Sequence, residues 1–400
     1  MSHAAPLAAD PATQLAALLA ARTEVNARFF DAEADRLARV CHLMAERFAR
    51  GGRLVAFGRS PAARSDARHL AVEFVHPVIV GKRALPALGL TGEGGSLPDQ
   101  AQLLTRPDDI AMGFGAGEEG EVAAAIAVAR RRGCLTIAFE SVPAHPAEYE
   151  FAPPAPDGDV AQELVETLYH VLWELVHVFF EHRGLLSGRS ERRSHDAGAS
   201  SFLYPFLDER EDKLEPVMED VRRSVLAKAA DIGELRAQTL GENTDALGDA
   251  AAALRACFAR GGTLLALGNG GSATDAMDVV ADFRTAGRPA IDLTEDSAIL
   301  TAIANDIGTD AIFSRQVIAY GGDGDALLAL STSGNSSNVI AALAEARRRG
   351  MVTVAMVGYD GGRVAAEGLA DHVVVTRSEH IPRIQEAQAS AYHALRALVG

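Results

Sequence analysis

Along the chain, short apolar runs alternate with longer stretches of helical periodicity. The runs are "RLVAF" at 53–57, "IAMGF" at 110–114 and "LTIAF" at 135–139, then "TLLAL" at 263–267, "ALLALS" at 326–331 and "VTVAMV" at 352–357. They are too short for helices and lack the alternation of a strand with one wet face, which predicts strands buried on both faces of a parallel sheet. Long helical stretches are predicted over roughly 11–50 and 212–260, each ahead of a Gly-Gly and a strand. The order of elements predicts an α/β fold in which helices cover both faces of parallel sheets.

The pattern occurs twice. "FARGGRLVAFG" at 48–58 matches "FARGGTLLALG" at 258–268, and "AIAVARRRGCLTIAF" at 125–139 matches "ALAEARRRGMVTVAM" at 342–356. "QELVETLYHVLWELV" at 162–176 matches "QEAQASAYHALRALV" at 385–399, so the offset grows from 210 through 217 to 223 in one order. This is the signature of a duplication with loop insertions. Between the copies, "SGRSERRSHDAGASS" at 187–201 is polar and aperiodic. The expected organisation is a first domain over 1–186, a linker over 187–211 and a second domain over 212–400, with the apolar "FLYPFLDE" after the polar segment docking on one of them.

Composition narrows the function classes. With 38 basic and 54 acidic residues the net charge is −16, which disfavours a nucleic-acid partner, since phosphate-backbone binding calls for a basic face. The longest apolar runs, such as "VLWELVHVFF" at 171–180, contain Glu174 and His177 and fall short of a bilayer span, so no membrane association is expected. No basic and apolar leader precedes the first helix, and Cys41, Cys134 and Cys257 form no disulfide or zinc pattern; a cytoplasmic protein is expected.

Candidate chemistry sits in the strand-to-helix turns. "GNGGSATD" at 268–275 follows a strand and opens a helix, where glycines let backbone N–H groups approach an anion; a tight connection without a ligand fits it equally well. "STSGNSS" at 331–337 concentrates Ser331, Thr332, Ser333, Ser336 and Ser337 in a second such turn, more hydroxyls than a helix cap needs.

Together "GNGGSATDA", "LTAIANDIGTDAIFSRQV", "LSTSGNSSNVI" and "RIQEAQASAYH" resemble the phosphosugar-binding SIS domain, in its phosphoheptose isomerase branch. The resemblance covers nearly all of 212–400 and implies two SIS-type α-β-α sandwich domains, each preceded by long N-terminal helices. It implies phosphate binding by Ser331, Thr332, Ser333 and Ser336, and sugar contacts from Asn269, Gly270, Ser272, Asp306 and Gln385. It places the acid/base His on His393 and the acid/base Glu on Asp282, while the helix His that joins a zinc site in some members falls on Asp278. Asp for Glu shortens the reach by a methylene, and misplacement of about 1 Å can cost on the order of 10²-fold in rate.

The first copy has what the second lacks. Aligning "RSDARHLAVEF" at 64–74 on "ATDAMDVVADF" at 273–283 puts His69 on Asp278 and Glu73 on Asp282, and Gln162 and His170 repeat the spacing of Gln385 and His393. His69 and Glu73, four apart, share a helix face. The resemblance thus implies a catalytic Glu73 and His170, and a zinc site of His69, Glu73, Gln162 and His170. The stretch aligned with the Ser/Thr turn is "FGAGEEG" at 114–120, with Glu118 and Glu119 where a phosphate would sit. Arg59, Arg64 and Arg68 lie around the other turn, as an anion clamp or as charge balance.

The expected activity is aldose–ketose isomerisation of a phosphorylated sugar, sedoheptulose 7-phosphate to D-glycero-D-manno-heptose 7-phosphate, through an enediol and without a nucleotide cofactor. Division of labour between the copies, the second holding phosphate and the first supplying Glu73 and His170, is one expectation, and a homo-oligomer built from such pseudo-dimers is another. The alternative is a non-catalytic sugar-phosphate sensor or assembly protein.

Overall fold

The computed structural model describes residues 10–78, 82–115, 120–141, 147–181 and 214–400. The linker, "FLYPFLDE", Glu118 and Glu119 lie outside them. Two compact units result: Val25–Asp231, and residues up to Glu24 together with Ile232–Gly400.

The first unit runs α1 (Pro11–Ala49, from Val25 onward), β1 (Leu54–Phe57), α2 (Pro61–Val75), β2 (Ala87–Leu90), α3 (Leu97–Leu104), β3 (Ile110–Gly113), α4 (Gly120–Arg131), β4 (Leu135–Ala138), β5 (Tyr149–Glu150) and α5 (Gly158–Glu181), then the first part of α6 (Leu214–Glu242). Its five strands are parallel in the order β2-β1-β3-β4-β5. Strand periodicity sorts β1 between two cores: Leu54 and Ala56 pack with α1, α2 and α5, while Val55 and Phe57 pack with α3 and α4.

The second unit holds the first turns of α1, the end of α6, α7 (Thr244–Ala259), β6 (Leu264–Leu267), α8 (Gly271–Thr285), β7 (Ala290–Asp292), α9 (Ser297–Asp306), α10 (Ser314–Tyr320), β8 (Ala326–Ser331), α11 (Ser337–Arg348), β9 (Val352–Gly358), α12 (Gly362–Ala366), β10 (His372–Thr376) and α13 (Ile381–Val399). Its parallel order, β10-β9-β8-β6-β7, is that of the first sheet read from the other edge. Leu264 and Ala266 face one core, Leu265 and Leu267 the other. Both sheets are therefore the middle layers of α-β-α sandwiches.

The predicted helix over 212–260 is two helices. Asn243 interrupts it: its amide donates to Thr239 O at 2.7 Å and Val375 O at 3.0 Å and accepts from Val375 N–H at 2.9 Å. A side chain that pins the edge strand β10 outweighs continuation of the helix. Among the described residues no helix is long and apolar enough to cross a membrane.

Candidate active site

In each sheet the strand order reverses between the first and third strands of the copy, the crevice where open α/β sheets bind ligands beyond the carboxyl ends of their strands. In the second unit the turns after β6 and β8 flank this point. The first turn needs glycine at Gly268, where a Cβ would lie 2.1 Å from the Ser272 carbonyl oxygen. The second needs it at Gly334, where φ is +61° and a Cβ would lie 2.2 Å from the Gly361 oxygen. Asn269 and Asn338 clasp the two turns together by reciprocal amide hydrogen bonds of 2.9 Å; sequence reading missed Asn338.

The Ser/Thr turn is organised through its hydroxyl oxygens. Ser331 Oγ accepts from Gly334 N–H at 3.2 Å and Ser333 Oγ accepts from Asn335 N–H at 3.2 Å, bonds that do not use either hydroxyl proton. Ser336 stands at the N-cap of α11 without capping it by its side chain, and its Oγ lies 3.5 Å from Ser331 Oγ. Thr332 O accepts from Gly358 N–H at 3.0 Å and so ties the turn to the end of β9. Hydroxyls and the N–H groups of a helix start make an anion cradle without a lysine. Asp306 is exposed at the end of α9 and accepts from Asn305 at 2.7 Å; Asp310, which sequence reading passed over, accepts from Ser337 Oγ at 2.5 Å.

The two residues to which the resemblance assigns acid/base work meet in the same unit. Asp282 on α8 and His393 on α13 approach to 3.4 Å (Oδ2 to Nε2), with His393 fully buried and Asp282 21% exposed. The shorter aspartate therefore still reaches the imidazole. Asp278, one turn earlier, accepts from Tyr392 Oη at 3.4 Å, and Gln385 is buried two turns before His393.

In the first unit α2 and α5 bring His69, Glu73 and His170 together, all at most 2% exposed. His69 Nε2 lies 3.3 Å from His170 Nε2 and 3.9 Å from Glu73 Oε1. The ligand atoms of His69, Glu166 and His170 all lie within 4.8 Å of one another. Glu166 was not singled out from the sequence, although Glu166 and His170 repeat the four-residue spacing of His69 and Glu73. This donor set fits zinc: with Zn–N bonds of 2.0–2.1 Å, tetrahedral geometry puts two nitrogens about 3.3 Å apart. When bound, such an ion supplies Lewis-acid polarisation if a position stays open and a cross-link between helices if none does.

Burial, and then the neighbouring His170, push His69 far below the usual histidine range. The unfolded chain takes this proton near pH 6.5 and the folded one only at much lower pH, so the unfolded state binds more protons in between and stability falls as pH drops. Metal-free protein should lose up to about 1.4 kcal/mol per pH unit below 6.5 from this group. Urea titrations from pH 7.5 to 5.0 check this, with a shallower dependence in His69→Gln.

The arginines around the first unit's turn are spoken for. Arg64 and Arg68 each reach Glu93 Oε1 at 3.0 Å, and Arg59 lies 3.3 Å from Glu121. Burial opposes ionisation of Glu93, but hydrogen bonds from Thr91 and its own backbone, with Arg68 and Arg64, hold its carboxyl below the usual range. Charge balance thus comes from this unit's own glutamates.

The profile of the SIS domain family matches residues 229–358. The chain is 45% identical over 177 residues to a phosphoheptose isomerase of Desulfovibrio desulfuricans, covering 43% of this chain and 83% of that protein. It is 39% identical over 188 residues to the phosphoheptose isomerase of Rhodospirillum rubrum, covering 46% of this chain and 97% of the relative. Among solved structures, the C-terminal domain of glucosamine-fructose-6-phosphate aminotransferase from Francisella tularensis aligns with a TM-score of 0.60, covering 100% of this chain and 97% of that one; at 10% identity this likeness is one of fold alone. With most of each of these two relatives' length matched at such identity, the chain belongs to the phosphoheptose isomerase family of SIS-domain proteins.

Proposed function

We propose that the protein is an aldose–ketose isomerase of a phosphorylated sugar, with sedoheptulose 7-phosphate as substrate and D-glycero-D-manno-heptose 7-phosphate as product. The observation that carries this reading is the 3.4 Å Asp282–His393 pair in the unit that also holds the Ser/Thr turn. Ser331, Thr332, Ser333, Ser336 and the N–H groups opening α11 bind the phosphate, and Asn269, Gly270, Ser272 and Gln385 position the sugar. Binding energy from the phosphate end orients carbons 1 and 2 at the acid/base pair.

The reaction moves one proton between carbons and one between oxygens. Asp282 takes the proton from C1 of the ketose, and His393 gives a proton to the C2 oxygen as the enediol forms. Asp282 then returns its proton to C2, and His393 regains one from the C1 hydroxyl as the aldehyde forms. Aspartate keeps at 282 the carboxylate that this role needs, and its 21% exposed side chain gives the substrate access.

Aspartate in place of glutamate favours a second reading, a sensor that binds the phosphosugar without turning it over. Isothermal calorimetry with sedoheptulose 7-phosphate, beside an NMR assay of C1–H exchange and product, separates the two. Binding with exchange and product supports the isomerase; binding with neither supports the sensor.

A further inference from the structure

We propose that Arg64, Arg68 and Thr91 form a second phosphate-binding site, in the first unit, at which the phosphate group of a small metabolite competes with Glu93. Arg64 and Arg68 lie one turn apart on α2, so both guanidinium groups reach the turn that follows β2. There they converge on one oxygen: each Nη2 donates to Glu93 Oε1 at 3.0 Å, while the Thr91 hydroxyl donates to Glu93 Oε2. Two guanidinium groups and a hydroxyl around one carboxylate are the donor set of an anion site, held here by a side chain of the protein itself.

Glu93 is the weaker occupant. Its side chain is 58% exposed, whereas those of Arg64 and Arg68 are 29% and 31% exposed. Packing therefore holds the donors in place, which lowers the cost of ordering them around an anion, while so exposed an ion pair does little to keep Glu93 there. Gly92 and Gly94 flank it, both at positive φ, so Glu93 can leave without a shift of α2 or β2. A phosphate ester brings up to two charges and three free oxygens, enough for each guanidinium to bond through two N–H groups, where Glu93 gives both the same oxygen. The site is peculiar to the first copy, since the residues matching Arg64 and Arg68 in the second are Ala273 and Met277. Conversely, "FGAGEEG" at 114–120 has none of the hydroxyls of "STSGNSS". The two copies thus meet phosphate with different chemistry at different turns, guanidinium beside the turn after β2 and hydroxyl in the turn after β8.

The site does not depend on the isomerase reading, and its test reads arginine reactivity, not turnover. Full-length protein is treated with phenylglyoxal, which modifies guanidinium groups, with and without inorganic phosphate at constant ionic strength. Modification of Arg64 and Arg68 is followed by peptide mass spectrometry. Phosphate should slow both reactions, and chloride at the same ionic strength should not. In Glu93→Gln the half-protecting phosphate concentration should fall by roughly 10- to 100-fold, the worth of one hydrogen bond to a charged group, and in Arg68→Gln the protection of Arg64 should be lost. Sedoheptulose 7-phosphate that protects at lower concentration than inorganic phosphate supports the site with a sugar ester as ligand, and equal protection supports it with free phosphate. The wild-type arm survives misfolding of either variant. The proposal is overturned if Arg64 and Arg68 of the wild type react equally fast with and without phosphate, or if Glu93→Gln, shown to be folded by circular dichroism, needs as much phosphate as the wild type.

Discussion

Asp282→Asn is expected to lower kcat for sedoheptulose 7-phosphate by about 10²- to 10⁴-fold, the range that a positioned general base supplies, while KM changes little. Asparagine keeps the size of the side chain and its place on α8 but cannot take the C1 proton, so the loss falls on the chemical step and not on binding. Asp282 faces His393 at 3.4 Å, and His393→Gln should bring a comparable loss. The same assay on Glu73→Gln separates the two units. Full activity there locates proton transfer in the second unit; loss there with retention in Asp282→Asn would move it to the first and sink the roles given above.

The second large effect is expected from a single methyl group. Gly334→Ala should destabilise the protein by about 2–5 kcal/mol, the sum of a left-handed backbone without glycine, about 1–2 kcal/mol, and overpacking, about 1–3 kcal/mol. The added Cβ would meet the Gly361 oxygen at 2.2 Å, a backbone atom with no rotamer to yield. Any relief displaces the turn that carries Ser331, Ser333 and Ser336, so phosphosugar affinity should fall with stability. Gly322→Ala is the control: its nearest neighbour is 3.7 Å away, and its φ is not positive. Urea denaturation and calorimetry read the two quantities separately.

Much of this was legible in the residues, for reasons that also explain what was not. The central strands β1, β3, β4, β6, β8 and β9 are buried runs and announce themselves. The strands β2, β5 and β7 are short, partly exposed edge strands, as in the intermediate-exposed-exposed-intermediate pattern of β2, and lack the continuous buried run of a central strand. His69, Glu73 and His170 were singled out by the family resemblance carried across the repeat, and the structure brings them together. Glu166 escaped because the resemblance assigns no role to its position, and its counterpart in the second copy is Ala389. The Asn269–Asn338 clasp joins residues 69 positions apart, a pairing that only the folded turns create.

The division of α1 and α6 between the two units bears on how this gene product can be cut. Val217, Val221 and Val225, which follow the polar segment in sequence, are buried in the core of the first unit, and Leu15, near the start of the chain, is buried in the core of the second. A scission anywhere in 187–211 would therefore strip each half of a helix segment that completes its interior. The two copies are bound into one heritable piece: neither can be expressed or shuffled alone without leaving its own core incomplete.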